Sequence, residues 1–106
     1  MSRKITLKVP VDIVVRDRDV RMLAAVARRA KRPGSAVDAS IRSLSRDIDV
    51  SLDTGRRALS SCVAEGFLTM QENRLDNGCQ VENSYAVTPQ GRAILDAARE
   101  SGLVQK

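Results

Sequence analysis

The feature that most constrains this fold is a pair of short helical patterns separated by three residues and followed by a hairpin turn. Residues 40–48 and 52–65 each place apolar side chains along one side of a helix, and "DVS" lies between them. Asn-Gly at 77–78 then separates two strand-like segments, and this pair readily adopts the positive φ angles of a hairpin turn. The segment therefore predicts two short helices joined by a tight turn and followed at once by a β-hairpin.

The rest of the chain adds one strand and two helices. Apolar and polar residues alternate in "ITLKV", as in a strand with one covered face, and Pro10 ends this pattern. A helical spacing of apolar residues before "KRPGS" predicts a first helix, and Thr88 with Pro89 suits the start of the last one. The predicted elements are a strand at 4–10, helices at about 19–31, 40–48, 52–65 and 89–101, and a hairpin at 67–87.

Two residues compete for the N-cap of each middle helix. Asp38 or Ser40 can cap the second helix, and Ser51 or Asp53 can cap the third, because each carries a side-chain oxygen that accepts a hydrogen bond from a free backbone N–H. At the other end of the third helix, Gly66 is the predicted stop.

Gly55 lies inside the third predicted helix, where glycine costs about 0.5–1 kcal/mol relative to alanine. At 100° per residue Gly55 shares a face with Leu59 and Cys62, whereas Arg57 and Ser61 point away from the core. Gly55 therefore either lets a neighbouring helix sit unusually close or leaves a gap that its neighbours fill.

The composition is that of one small folded domain with a basic N-terminal third. A chain of 106 residues buries enough surface to fold without disulfides or metals. Residues 1–37 carry ten Lys/Arg against three Asp/Glu, a net +7, and the remaining eight basic and ten acidic residues give −2. Such a basic block favours a polyanionic partner, nucleic acid before membrane. With only 2% aromatic residues, a platform that stacks single-stranded bases is not expected.

The sequence lacks the signatures of several other classes of protein. Two cysteines outside any C-x-x-C pair and no histidine exclude the usual zinc patterns and remove the commonest general base. No nucleophile with a base and no phosphate-binding glycine loop appears, so we expect neither enzyme activity nor a cofactor. No segment has the pattern of a membrane span or a signal peptide, and we expect a reduced, cytoplasmic protein without an evident small-molecule effector.

The segment "SIRSLSRDIDVSLDTGRRALSSCVAEGFLT" resembles the bacterial winged helix-turn-helix pattern, in which a Ser-led helix, a "D-V-S" turn and a "T-x-R-R-A-L" helix follow in order. "DNGCQVENSYAVT" is similar to the wing of phage and plasmid replication proteins, and "VTPQGRAILDAA" resembles the post-wing helix of MarR-type repressors. This resemblance covers roughly residues 9–98. It implies a single α+β, mainly α domain: a winged helix-turn-helix with a three-helix core, a two-stranded β-hairpin wing and an extra C-terminal helix.

The function that the resemblance implies is sequence-specific binding of double-stranded DNA, in transcription regulation or in phage or plasmid replication. The second helix of the pair would enter the major groove, and the wing would reach an adjacent groove or the backbone.

The resemblance also implies which residues contact DNA. In GntR-type repressors, a related winged-helix family, the positions matching Arg42 and Arg56 hold DNA-contacting arginines. The positions matching Leu52 and Asp53 usually carry basic or hydroxyl residues there. Asp53 either caps its helix or accepts from a cytosine amino group, and we favour the cap. The expected DNA contacts are Ser40, Arg42, Ser51, Leu52, Thr54, Arg56, Arg57, Arg74 and Asn77.

The charge of residues 38–91 supports an alternative function. This part of the chain contains five arginines and eight acidic residues, a net −3, as in winged-helix domains that bind proteins. The alternative is therefore a protein–protein interaction module whose basic N terminus docks an acidic partner.

A homodimer is a further expectation, because two-fold regulators contact half-sites about one helical turn apart. The predicted joint is the last helix and the residues after it, with apolar surface from Ile94, Leu95, Ala97, Ala98, Leu103 and Val104. Alternatively, this helix only covers the first helix and the N-terminal strand.

Overall fold

The computed structural model of the protein describes residues 4–8, 12–74 and 80–100. Over these residues the chain is an α+β fold with four helices and two small antiparallel sheets. The elements are β1 (Lys4–Lys8), β2 (Asp12–Arg16), α1 (Asp17–Arg29), β3 (Val37–Ala39), α2 (Ile41–Asp47), α3 (Leu52–Ala64), β4 (Leu68–Arg74), β5 (Gln80–Val87) and α4 (Pro89–Glu100).

The N terminus forms a hairpin where the sequence predicted a single strand. The predicted strand at 4–10 is described over Lys4–Lys8, since residues 9–11 lie outside the described part, and β2 pairs with it antiparallel. The prediction missed β2 because its two adjacent valines do not show the alternation clearly. Val15 is buried in the core, whereas Val14 is 61% exposed.

Helix α1 is the centre of the fold. It contacts all three other helices and β5, and its buried residues run through consecutive positions from Met22 to Val26. The helix begins at Asp17, two residues before the prediction, and two aspartates in its first turn are stabilised by the positive end of the helix dipole. It ends at Arg29 because Ala30 adopts an extended backbone conformation.

The second sheet has three strands in the order β3-β5-β4, so the prediction of a two-stranded hairpin was incomplete. Strand β3 lies between α1 and α2 in the chain and pairs with β5, with Asp38 opposite Ser84. Because Asp38 belongs to this strand, the cap of α2 is the alternative residue, Ser40, whose Oγ accepts from the Ser43 N–H at 3.0 Å.

The turn between α2 and α3 is closed by the backbone. Asp49 has φ 55°, a left-handed conformation that aspartate tolerates better than most residues, and the Val50 N–H donates to the Ser45 carbonyl at 3.0 Å. At the far end of α3, Gly66 has φ 80° and the Phe67 N–H donates back to the carbonyl of Cys62 at 2.8 Å. The Gly66 N–H also donates to the Val63 carbonyl, at 3.1 Å. The two bonds form a Schellman motif, which confirms the predicted stop at Gly66.

Helix α4 closes the core on the side of α1 and β1. Its start matches the prediction, because the Gly91 N–H donates to Thr88 Oγ1 at 3.0 Å. The apolar stripe of α4 faces inward, with Ile94, Leu95 and Ala98 all buried within the chain. The alternative interpretation of this helix, that it covers α1 and the N-terminal strand, therefore accounts for these three residues.

Candidate nucleic-acid interface

Gly55 brings α3 into close contact with α2. A Cβ added at Gly55 would lie 2.8 Å from the Cβ of Ser45 and closer still to its Oγ, which is nearer than real side chains approach. Ser45 is itself buried and donates to the Ile41 carbonyl at 2.7 Å, so it has little freedom to turn aside. The two possibilities left open by the sequence are thus decided, because Gly55 permits close approach and leaves no gap.

The first turn of α3 is capped by Ser51. Ser51 Oγ accepts from the Thr54 N–H at 3.2 Å, and the two hydroxyl oxygens lie 3.0 Å apart. Asp53 is therefore not the cap, and the favoured interpretation of this residue was wrong. Its carboxylate instead pairs with Arg57 at 3.3 Å, one helical turn away. Leu52 opens the helix with its side chain 37% exposed.

The exposed surface of α3 carries two neighbouring arginines that line different grooves. Arg56 and Arg57 are both exposed, and Ala58 and Leu59, which follow them, are buried. Arg56 lies beside a groove of about 370 Å³ that α3 shares with the sheet, whereas Arg57 faces the N-terminal hairpin.

Helix α2 carries two exposed cations. Arg42, the expected DNA contact, lies in its first turn, and Arg46 lies in its last turn beside the α2–α3 turn. Ser40, the preceding expected contact, is half-buried, and its hydroxyl caps the helix.

Asp47 at the end of α2 is neutralised by Arg29 from α1, whose Nε donates to it at 2.8 Å. This hydrogen bond raises the pKa of Arg29 above its ordinary value. The pair ties α1 to α2 and removes one of the acidic charges near the turn.

The two expected contacts in the hairpin are only partly placed. Arg74 is the last residue of β4, but its side chain lies outside the described part of the chain, and so does Asn77 entirely. The structure therefore exposes Arg42, Arg56 and Arg57 on the two helices that flank the turn, and the contribution of the hairpin tip stays a prediction.

A basic cleft between the N-terminal hairpin and α3 was not anticipated from the sequence. It has a volume of about 590 Å³, and five cationic side chains line it: Lys4, Arg16, Arg18, Arg21 and Arg57. The charge excess of residues 1–37 was the available signal. That signal did not indicate the cleft, because the cleft forms only when α1 packs on α3 and when β1 pairs with β2 and brings Lys4 to the start of α1.

A buried carboxylate links α1 to α3 next to this cleft. Asp19 is 5% exposed, accepts from Ser61 Oγ at 2.7 Å and pairs with Arg18 at 3.1 Å. Ser61 therefore faces α1 rather than pointing away from the core as predicted. The neighbouring thiol of Cys62 donates to the Asp19 carbonyl, and its pKa is raised by burial and by the charge of Asp19.

Comparisons with known proteins leave the chain without an assigned relative. No protein-family model, curated protein or solved structure matches it. None of the helices in the described ranges is long and apolar enough to cross a membrane. Among the same residues, no group of three or more His, Cys, Asp or Glu side chains could hold a metal ion.

Proposed function

We propose that the chain is a winged helix-turn-helix domain that binds double-stranded DNA, with α3 in the major groove and β4–β5 as the wing. The observation that carries this proposal is the way α3 is held at the surface. The helix is capped at Ser51, packed on α2 through Gly55, and exposes Arg56 and Arg57 on its outer face. A two-helix unit with an exposed basic second helix is the arrangement that helix-turn-helix proteins insert into the major groove.

The sheet supports the same proposal. The order β3-β5-β4 anchors the base of the β4–β5 hairpin to the segment that leads into α2. The hairpin and the two-helix unit thus belong to one folded body, as a wing that contacts the backbone beside the recognition helix requires.

The residue roles follow from exposure and charge. Arg56 is positioned for a bidentate contact to guanine, the commonest specific contact in the major groove, and Arg42 for a phosphate. Ser51 and Thr54 hold the helix start together. The resemblance implies a role in transcription regulation or in phage or plasmid replication, and a double-stranded DNA target is common to both.

The groove beside Arg56 supports a second candidate function, a protein-docking module. The groove is lined by apolar groups from Ile41, Val63 and Tyr85 among others, and by Met70, which is 44% exposed. An acidic partner with an apolar anchor would suit both the groove and the arginine.

Duplex binding at several salt concentrations tests the proposal. With a labelled random-sequence duplex, log affinity should fall linearly with log salt at about 0.9 per phosphate neutralised. Selection from a random pool should then enrich one sequence. No binding to duplex at low salt would contradict the proposal in favour of the docking module.

A further inference from the structure

We propose that the basic cleft between β1–β2 and α3 binds a backbone phosphate of the DNA, so that the N-terminal hairpin is a second DNA-contacting element. The inference rests on the proposed function, and it assigns a role to a hairpin that lies outside the two helices and the wing. Its evidence is the charge, pairing and position of the side chains that line the cleft.

Two of these cations occupy directly opposed positions in the N-terminal hairpin. Lys4 and Arg16 are direct partners in the β1–β2 register, and like charges at such positions destabilise a hairpin. No salt bridge joins either residue to another residue in the described ranges. Arg16 is also the N-cap residue of α1, and its donor-only guanidinium cannot accept from the free N–H groups of the helix. A bound phosphate would replace this repulsion with two attractive contacts.

Arg18 forms the inner wall of the cleft. Its side chain is only 14% exposed and pairs with the buried carboxylate of Asp19, which Ser61 holds from α3. Asp19 therefore joins α1 to α3 and also holds the Arg18 side chain in place at the cleft.

The other two cations each form one ion pair with an aspartate a helical turn away, a half-buried one for Arg21 and an exposed one for Arg57. Arg21 pairs with Asp17 at 3.6 Å, and Arg57 pairs with Asp53 at 3.3 Å. Ion pairs of solvent-exposed arginines contribute little to stability, so either arginine can turn to a phosphate at little cost. Counting five cations against Asp17, Asp53 and the buried Asp19, the cleft and its partners keep a net charge of +2.

The position of the cleft suits a strand that runs beside α3. Ser51 and Thr54, in the first turn of α3, line the cleft together with the hairpin residues. In helix-turn-helix complexes the start of the recognition helix lies among the bases, so the sugar-phosphate backbone passes close by. A phosphate in the cleft would therefore belong to the strand that borders the groove entered by α3.

The test is salt-dependent binding of a random-sequence duplex by the full chain, measured by fluorescence anisotropy. The variant is Lys4→Gln with Arg16→Gln, which leaves α3 unchanged. The matched control is Lys31→Gln with Arg32→Gln, two exposed cations beyond the other end of α1, roughly 20 Å away along the helix. Circular dichroism and the melting temperature show whether each variant is folded, and the cleft variant should melt no lower than the wild type because a repulsive pair is removed.

We expect the cleft variant to reduce the salt slope by about 0.9 for each phosphate that it no longer neutralises, and to weaken binding at 0.1 M salt roughly tenfold for each such phosphate. The control should change the slope by less. Two results would contradict phosphate binding in the cleft while leaving the proposed function intact. In both, the wild type binds duplex; in the first the cleft variant keeps the wild-type salt slope, and in the second the cleft and control variants reduce the slope equally. A single Arg21→Gln variant supplies the same comparison if the double variant is not folded. A wild type that does not bind duplex would overturn both proposals.

Discussion

Gly55 determines how closely α3 approaches α2, and this makes the position sensitive to a single methyl group. Alanine is the better helix former by about 0.5–1 kcal/mol, but its Cβ would lie 2.8 Å from the Cβ of Ser45. Overpacking of a dense core costs about 1–3 kcal/mol, so we expect Gly55→Ala to lower the free energy of unfolding by about that amount. Urea denaturation monitored by circular dichroism measures the change.

A double-mutant cycle supplies the control for this substitution. Ser45→Gly removes the side chain that the new methyl would meet, so the two substitutions together should be less destabilising than the sum of their separate effects, with a coupling of about 0.5–3 kcal/mol. A Gly55→Ala variant as stable as the wild type would show that the contact between the two helices is looser than described.

In the proposed DNA-binding mode Arg56 is the residue on α3 expected to read a base, and its substitution separates base recognition from phosphate binding. On a selected site we expect Arg56→Ala to weaken binding by about 1–3 kcal/mol and to flatten preference at one base pair. Arg92→Ala in α4 removes the same charge from a helix that packs on α1 and β1. Sequence-independent reductions of equal size from both variants would make Arg56 a general electrostatic contact.

At the scale of single elements, the start of α3 depends on one hydroxyl. Ser51 Oγ accepts from the Thr54 N–H, and removal of such a cap costs about 1 kcal/mol. We therefore expect Ser51→Ala to lower the free energy of unfolding by this amount in urea denaturation. Ser60→Ala, an exposed position later in the same helix, should have almost no effect. Equal effects from the two substitutions would rule out Ser51 as the cap.

The four helices could be predicted from the sequence because each repeats its apolar positions over two or more turns. Their observed bounds lie within two residues of the predicted ones. Strands β2 and β3 could not be predicted in this way. Three residues, Val37–Ala39, are too few to show a period, and they form a strand only because β5 lies beside them. In "DIVVR" the adjacent valines hide the alternation.

The exposed residues of the candidate site could be predicted from the sequence. The contacts between residues that are far apart in the chain could not. The helical wheel placed Arg57 away from the core, and the structure confirms that it is exposed. The same wheel misplaced Ser61, because its partner Asp19 is 42 residues distant in the chain. The basic cleft was missed for a related reason, since Lys4 approaches α3 only when β1 pairs with β2.

At the scale of the whole molecule, the basic N-terminal third does not form one patch. Arg16, Arg18 and Arg21 surround the start of α1, whereas Lys31 and Arg32 follow its end. Near the α2–α3 turn, Asp47 pairs with Arg29, so its negative charge is compensated from α1. The net −3 of residues 38–91 therefore overstates the acidity of the surface around the turn.

The homodimer stays a prediction, and the structure limits which of the predicted residues could form the dimer interface. Ile94, Leu95 and Ala98 are buried within one chain, which leaves Ala97 and the residues beyond α4 from the predicted set. Leu103 and Val104 lie outside the described residues. If the joint is there, light scattering should give twice the monomer mass for the wild type, and Leu103→Asp with Val104→Asp should give the monomer mass with unchanged helical circular dichroism. A wild type that is monomeric at micromolar concentration would contradict the predicted homodimer.

The pairing of β3 with β5 has a consequence for how the chain is made. Asp38 and Ser84 lie 46 residues apart, and ribosomes add about 5–20 residues per second, so β3 emerges roughly 2–9 seconds before its partner. During that interval the segment is unpaired, and an unpaired strand-forming segment of a nascent chain can pair with other molecules. The charge of Asp38, exposed at the middle of β3, opposes such pairing until the Ser84 hydroxyl arrives to donate to it. The Asp38 carboxylate can thus oppose intermolecular pairing of the nascent chain and later accept a hydrogen bond that joins β3 to β5.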